Sequence, residues 1–242
     1  MKELERELQN LNASSNDHLV HHVLDLLKEG HGITKKNSSA GLPDVEICEG
    51  NSTFKITHNK DKSLSVAQIK DLEEVAFEKF VGKKLAEKKL TRDVHLDGGV
   101  TVPETIDFKM NPNTGSLLEK IHTGKDYTEK VAYSLRTGKP IQSVCTSEGD
   151  DPTQSITRMD PVDGHVTSQC IVEPQFSAGN GVFGRMTFTQ FDKAADTVTE
   201  EMIFGDGRHH LTFTEHLHSI RAEKSTVRDW TSPAQPIQFK SN

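Results

Sequence analysis

The 242-residue chain predicts an α+β fold that is mainly antiparallel β: two helices, then a run of strands closing into an up-and-down barrel. Two observations carry this. From Asp97 onward turn clusters recur, among them Asp97-Gly98-Gly99, Pro112-Asn113-Thr114-Gly115, Thr137-Gly138-Lys139-Pro140, Asp163-Gly164 and Gly205-Asp206-Gly207. They fall roughly 10 to 16 residues apart, as hairpin-linked strands of about ten residues require. Between the clusters, polar and apolar residues mostly alternate, the period of a strand with one face turned toward a core. Links this short favour consecutive hairpins over Greek-key crossovers, and closure removes the edges an open sheet would expose.

The elements follow in order. A helix is expected from Asp17 to Glu29: Asn16 or Asp17 caps it, Leu19, Val20, Val23, Leu24 and Leu27 keep the 3.6 period, and Gly30 and Gly32 stop it. Residues 30–43, rich in Gly, Ser, Lys and Asn, read as a connector. Short strands are placed at Asp44 to Cys48 and Thr53 to Thr57. A second helix is expected from Ser65 to Leu90, with Ser65 and Gln68 as a capping box and Val66, Ile69, Leu72, Val75, Ala76 and Phe80 along one face. The period then switches to 2. Strands are placed at Val100–Phe108, Thr128–Arg136, Ile141–Ser147, Thr153–Met159, His165–Val172, Val182–Phe191, Thr197–Phe204 and His209–His218, with a last pair at Ser225–Trp230 and Ile237–Phe239. No internal repeat is found at a fixed period. The chain thus divides into an N-terminal helical segment with short strands, 1–92, and an antiparallel β-barrel, 93–242.

Composition narrows the function classes. A net charge of −7 and a pI near 5.9 disfavour nucleic acid, whose phosphates demand clustered Lys and Arg. Lys83, Lys84, Lys88 and Lys89 interleave with Leu85, Ala86, Glu87 and Leu90 and read as a solvated face. No apolar run reaches the ~20 residues of a membrane span, and the first residues lack the apolar stretch of a secretory signal, so a cytoplasmic protein is expected. Cys48, Cys145 and Cys170 have no metal-finger spacing and are expected as reduced thiols.

Motifs are weighed by context. Gly179-Asn180-Gly181-Val182-Phe183-Gly184 satisfies GxGxxG, but Arg185 to Phe191 alternates as a strand, so no helix dipole meets a phosphate and a hairpin is expected. His216-x-His218 with Glu223 puts two imidazoles and a carboxylate at a spacing able to hold a divalent ion, yet no later histidine follows to supply a fourth ligand, and no metal is assigned. His18, His21 and His22 beside Asp25 cluster on the outer side of the first helix. Joint protonation of such a cluster is repulsive and would weaken that helix's docking in acid. No nucleophile elbow is present and no carboxylate pair suggests an acid and base couple, leaving any cofactor unknown.

The strand count and rhythm resemble calycin-like barrels, those of fatty-acid-binding proteins and lipocalins, at the level of fold alone. That resemblance implies a cavity binding a small apolar or amphipathic molecule. Its lining is expected to include Met186, Phe188, Met202, Phe204, Phe213 and Leu217, with Arg158, Arg185, His210 and His216 as polar contacts able to hold a carboxylate head group. Two alternatives remain. One is an enzyme acting in the same cavity through His210, His216 or an arginine; the other is a structural or interaction protein with a filled barrel and the helix Ser65 to Leu90 as its docking surface.

Overall fold

The computed structural model describes residues 2–11, 19–31, 33–36, 44–95, 99–149, 152–178, 181–204 and 210–216. The chain forms two compact units, Met1–Lys125 and Asp126–Asn242.

In the first unit, helices α1 (Lys2–Gln9) and α2 (Leu19–Glu29) precede strands β1 (Ile33–Lys36), β2 (Asp44–Glu49), β3 (Ser52–His58), β4 (Ser63–Lys70), β5 (Glu73–Val81), β6 (Lys84–His95), β7 (Thr101–Met110) and β8 (Leu117–Thr123). Each strand pairs antiparallel with its sequence neighbour. Both helices are amphipathic. Leu4 and Leu8 on α1 and Val20, Val23, Leu24, Leu26 and Leu27 on α2 are buried, and they cover one face of β2 to β5, where Val45, Ile47, Phe54, Ile56, Val66 and Phe80 are all nearly or fully inaccessible. This two-layer packing is the hydrophobic core of the unit.

The helix expected from Ser65 to Leu90 is instead the meander β4, β5 and β6. Asp71 and Leu72 both take positive φ, 51° and 70°, the backbone of a two-residue type I′ turn, and Lys70 pairs directly with Glu73 across it. Leu72, counted on the helical apolar face, is the tip of that turn and is 97% exposed. Gly82, at φ 61°, makes the next turn, with Val81 paired to Lys84. Apolar residues at Val66, Ile69, Val75 and Phe80 fit either period over so short a window. The β-branched and aromatic content, and a helix layer needing a sheet to pack on, decide for strands.

A buried polar contact anchors α2. The carboxylate of Glu78, 1% exposed, accepts a hydrogen bond from the Val20 amide at 3.3 Å, serving one of the unpaired N–H groups of the helix's first turn from another element. Lys88 Nζ lies 3.3 Å from the other Glu78 oxygen. A buried carboxylate is tolerable here because both a helix N-terminus and an ammonium face it.

The second unit contains β9 (Tyr127–Tyr133), β10 (Pro140–Ser147), β11 (Gln154–Met159), β12 (Val166–Ala178), β13 (Gly181–Asp192), β14 (Thr197–Phe204) and β15 (His210–His216), again an antiparallel meander. These strands fall close to their expected positions. The expected closure is not found: among the described residues no register joins β1 to β8 or β9 to β15, and the sheet stays open. Nor do the described residues form a core on either face. Val198 is the one buried hydrophobic residue described in β9 to β15, whose substantial contacts are all with the strands beside them.

A recurrent turn appears in both meanders. Asn111, Ser134 and Asp160 each accept, through the backbone carbonyl, a hydrogen bond from the glycine four residues on (Gly115, Gly138, Gly164) at 2.7, 2.8 and 2.9 Å. Each side-chain oxygen also accepts from the amides two and three residues ahead. Asp192 repeats the side-chain pattern toward Ala194 and Ala195, both at 2.9 Å, with Asp196 at φ 55° in the glycine's place. These are Asx and Ser turns closed by a left-handed residue, which glycine adopts without steric cost.

Candidate functional site

Register decides which side chains share a face, because directly paired antiparallel residues project from the same side. Across the second unit one row runs Lys130, Val144, Ile156, Cys170, Phe188, Glu201, each the register partner of the next. A parallel row on the same face runs Gln154, Val172, Met186, Ile203, and Met186 and Ile203 are each 37% exposed. The opposite face carries Glu129, Cys145, Ser155, Ile171, Thr187 and Met202 in one row and the Glu173, Arg185, Phe204 row beside it. The first face therefore carries an apolar band bordered by opposite charges, with the polar row Gln142, Arg158, Ser168, Gln190, Thr199 beside it, and the second is mostly polar.

The expected lining residues are distributed by this register. Met186 and Phe188 lie on the apolar-band face with Ile203 and Glu201, whereas Met202 and Phe204 lie on the other face with Thr187 and Arg185. The two pairs do not line one surface. Arg185 is held by Glu173, with Nε 2.6 Å and a terminal nitrogen 2.5 Å from the same carboxylate oxygen, and Arg158 is exposed. The backbone of β15 sets His210 opposite Ile203, Phe213 opposite Glu200 and His216 opposite Thr197. Leu217, His218, Glu223 and the pair of strands expected at 225–239 lie outside the described residues. All three cysteines are free thiols, and Cys145 and Cys170 occupy opposite faces. Across the GxGxxG segment Ala178 pairs with Gly181 and the sheet continues, so the third glycine stands in a strand.

The first unit offers an open groove of about 450 Å³ on β5 to β8. It is lined by the cross-strand row Phe77, Lys89, Asp107, Ile121 and by the charge-alternating row Glu87, Lys109, Glu119 beside it. Lys89 reaches Glu74 at 3.6 Å. Two apolar side chains separated by an ammonium and a carboxylate could seat an amphipathic ligand.

Charged turns mark one end of the second unit. Asp160, Asp163 and His165 bring potential ligand atoms within 4.8 Å of one another, but Lys193 Nζ lies 2.8 Å from Asp163 and already neutralises the cluster's centre. That ammonium, followed by the His165 ring, holds the Asp163 carboxyl far below the usual carboxylate range. Thr137 donates to the Pro161 carbonyl of the neighbouring turn, so these contacts stitch adjacent hairpins together.

Of the histidine cluster, His18 lies outside the described residues. His22 Nε2 is 2.9 Å from Glu49, its ring centroid is 5.0 Å from that of Phe54, and Asp25 pairs with Lys28 at 2.8 Å. The His22 ring thus faces a carboxylate of β2. His58, on β3, contacts Glu7 of α1 at 2.9 Å.

No family model matches the chain and no curated protein matches its sequence. Among the described residues no helix is long and apolar enough to cross a membrane.

Proposed function

We propose that the chain is a structural or interaction protein whose extended sheet binds another polypeptide. The observation that supports this best is the apolar band Val144, Ile156, Cys170 and Phe188 on strands β10 to β13, whose substantial contacts among the described residues are with adjacent strands. Apolar rows of this kind ordinarily pack against a second layer. The reading calls for no docking helix; a sheet face takes its place.

Photoreactive residues at position 188 and, on the opposite face, at position 187 test it in cells. Polypeptide adducts at 188 and few at 187 are expected. Equal labelling of both positions, or none at either, would contradict the reading.

A second reading keeps a small amphipathic molecule as the ligand. A closed, calycin-like barrel would give it a lumen; on the open sheet, the groove at Phe77 and Ile121 supports it instead. An apolar tail there would gain ~25 cal/mol per Å² covered, before the costs of association. Displacement of a fluorescent fatty-acid probe, abolished by Phe77→Asp, would favour this reading; native mass spectra free of any retained molecule, with no probe bound, would remove it.

A further inference from the structure

The row Lys130, Val144, Ile156, Cys170, Phe188, Glu201 is complementary to itself when reversed. From this we infer that the partner of the apolar band is a second copy of this chain, stacked face to face about a two-fold axis parallel to the strands between β11 and β12; the inference rests on the interaction reading above. Rotation about such an axis exchanges the two sides of the sheet and preserves height along the strands. Lys130 on β9 then meets the partner's Glu201, Val144 meets the partner's Phe188, and Ile156 meets the partner's Cys170.

The ends of the row attract and its centre is apolar. Like charges would meet only if the two sheets stacked in the unreversed sense, so the charges also select the orientation. In the neighbouring row, Gln154 meets the partner's Val172 by the same operation, and Met186 and Ile203 add apolar surface.

The dimensions agree. Strands ~4.8 Å apart put Lys130 and Glu201 on the order of 24 Å from each other across five strand intervals, and strands of about seven residues are ~23 Å long. The face from β9 to β14 thus covers on the order of 600 Å², approaching the roughly 800 Å² per partner of a standard stable interface. Two sheets stacked at ~10 Å would leave the Cys170 Cα atoms of the two copies about 11 Å apart. That is too far for a disulfide and within reach of a short bis-maleimide.

Sedimentation velocity of the full chain from about 1 to 100 μM, with far-UV circular dichroism as a fold control, tests the dimer. Wild type is expected to dimerise. Lys130→Glu and Glu201→Lys alone should each weaken the dimer at least tenfold, and the double exchange should return it to within about threefold of wild type, which a merely misfolded variant cannot do. With Cys48 and Cys145 changed to Ser, a short bis-maleimide should join two copies through Cys170.

A wild type that remains monomeric at 100 μM overturns the inference, as does a dimer untouched by the single exchanges or not restored by the double one. A monomer in which Cys170 is alkylated only after removal of residues 217–242 would assign the band to the chain's own C-terminal segment and equally overturn it. In either monomeric case, adducts to other proteins at position 188 would leave the broader interaction reading standing, so the two failures are separable.

Discussion

The sheet is backed differently in its two units. Strands β2 to β5 lie under α1 and α2, with Phe54, Ile56, Val66 and Phe80 at 0% exposure; strands β9 to β15 bury Val198 alone among the described residues. The first region is held by removal of apolar surface from water. The second relies on ladder hydrogen bonds, cross-strand pairs and the repeated side-chain-capped turns, each a small contribution. The same meander topology therefore spans two energetic regimes.

The largest expected effect separates these regimes. Phe80→Ala should cost about 3 to 5 kcal/mol in urea denaturation, since it opens a cavity between helix and sheet. Phe188→Ala, measured at a concentration low enough for monomer, should cost about 1 kcal/mol or less, because a partly exposed ring gives up less contact than a fully buried one. Equal losses would erase the distinction.

Next comes the polar anchor of the helical layer. Glu78→Leu takes the acceptor away from the Val20 amide and the carboxylate away from Lys88, and a loss of about 2 to 4 kcal/mol is expected, with faster hydrogen exchange at Val20. An unchanged exchange rate at Val20 would show that packing alone positions α2.

Smaller effects should come from the turns. Asp192→Ala removes the acceptor of two backbone amides and should destabilise by about 1 kcal/mol. Asp196→Gly relieves a left-handed aspartate and should stabilise by a few tenths to about 1 kcal/mol. A reversed sign for the second would mean that entropy gained by the unfolded chain outweighs the relieved strain.

The smallest effect is a pH dependence in the first unit. Hydrogen bonds from the Ser63 hydroxyl and amide, then the Lys79 ammonium, pull the Asp61 carboxyl from 3.8 to about 2. Because the folded value is the lower one, the stabilisation is present above the unfolded value and fades as pH falls through about 2. The denaturation midpoint should accordingly fall less steeply between pH 4 and 2 in Asp61→Asn than in wild type; parallel slopes would remove Asp61 from the account.

Much of the strand succession was legible because its cues are local: Pro, Gly, Asn and Asp at turns and alternation between them. The region from Ser65 to Leu90 was not. Its decisive turn is Asp71-Leu72, a left-handed pair without glycine, and Leu72 supplied an apolar residue at a helical spacing just where the chain reverses. Helix α1 was missed because eight residues with two buried leucines give a weak periodic signal. The repeated turn escaped notice because Asn111, Ser134, Asp160 and Asp192 differ in letter and recur at unequal intervals; their likeness is in hydrogen bonding. Which residues share a face depends on register, and the pairing of Met186 with Ile203, rather than with Met202, cannot be read from alternation within single strands.

Native-state hydrogen exchange on the full chain at sub-micromolar concentration tests the contrast between the units most directly. The account predicts that amides of β2 to β5 exchange through the rarest, most costly openings, while those of β10 to β13 exchange through openings lower in free energy by at least about 2 kcal/mol, a protection difference of roughly thirtyfold or more. Equal protection in the two regions, with a single cooperative opening for both, would contradict it.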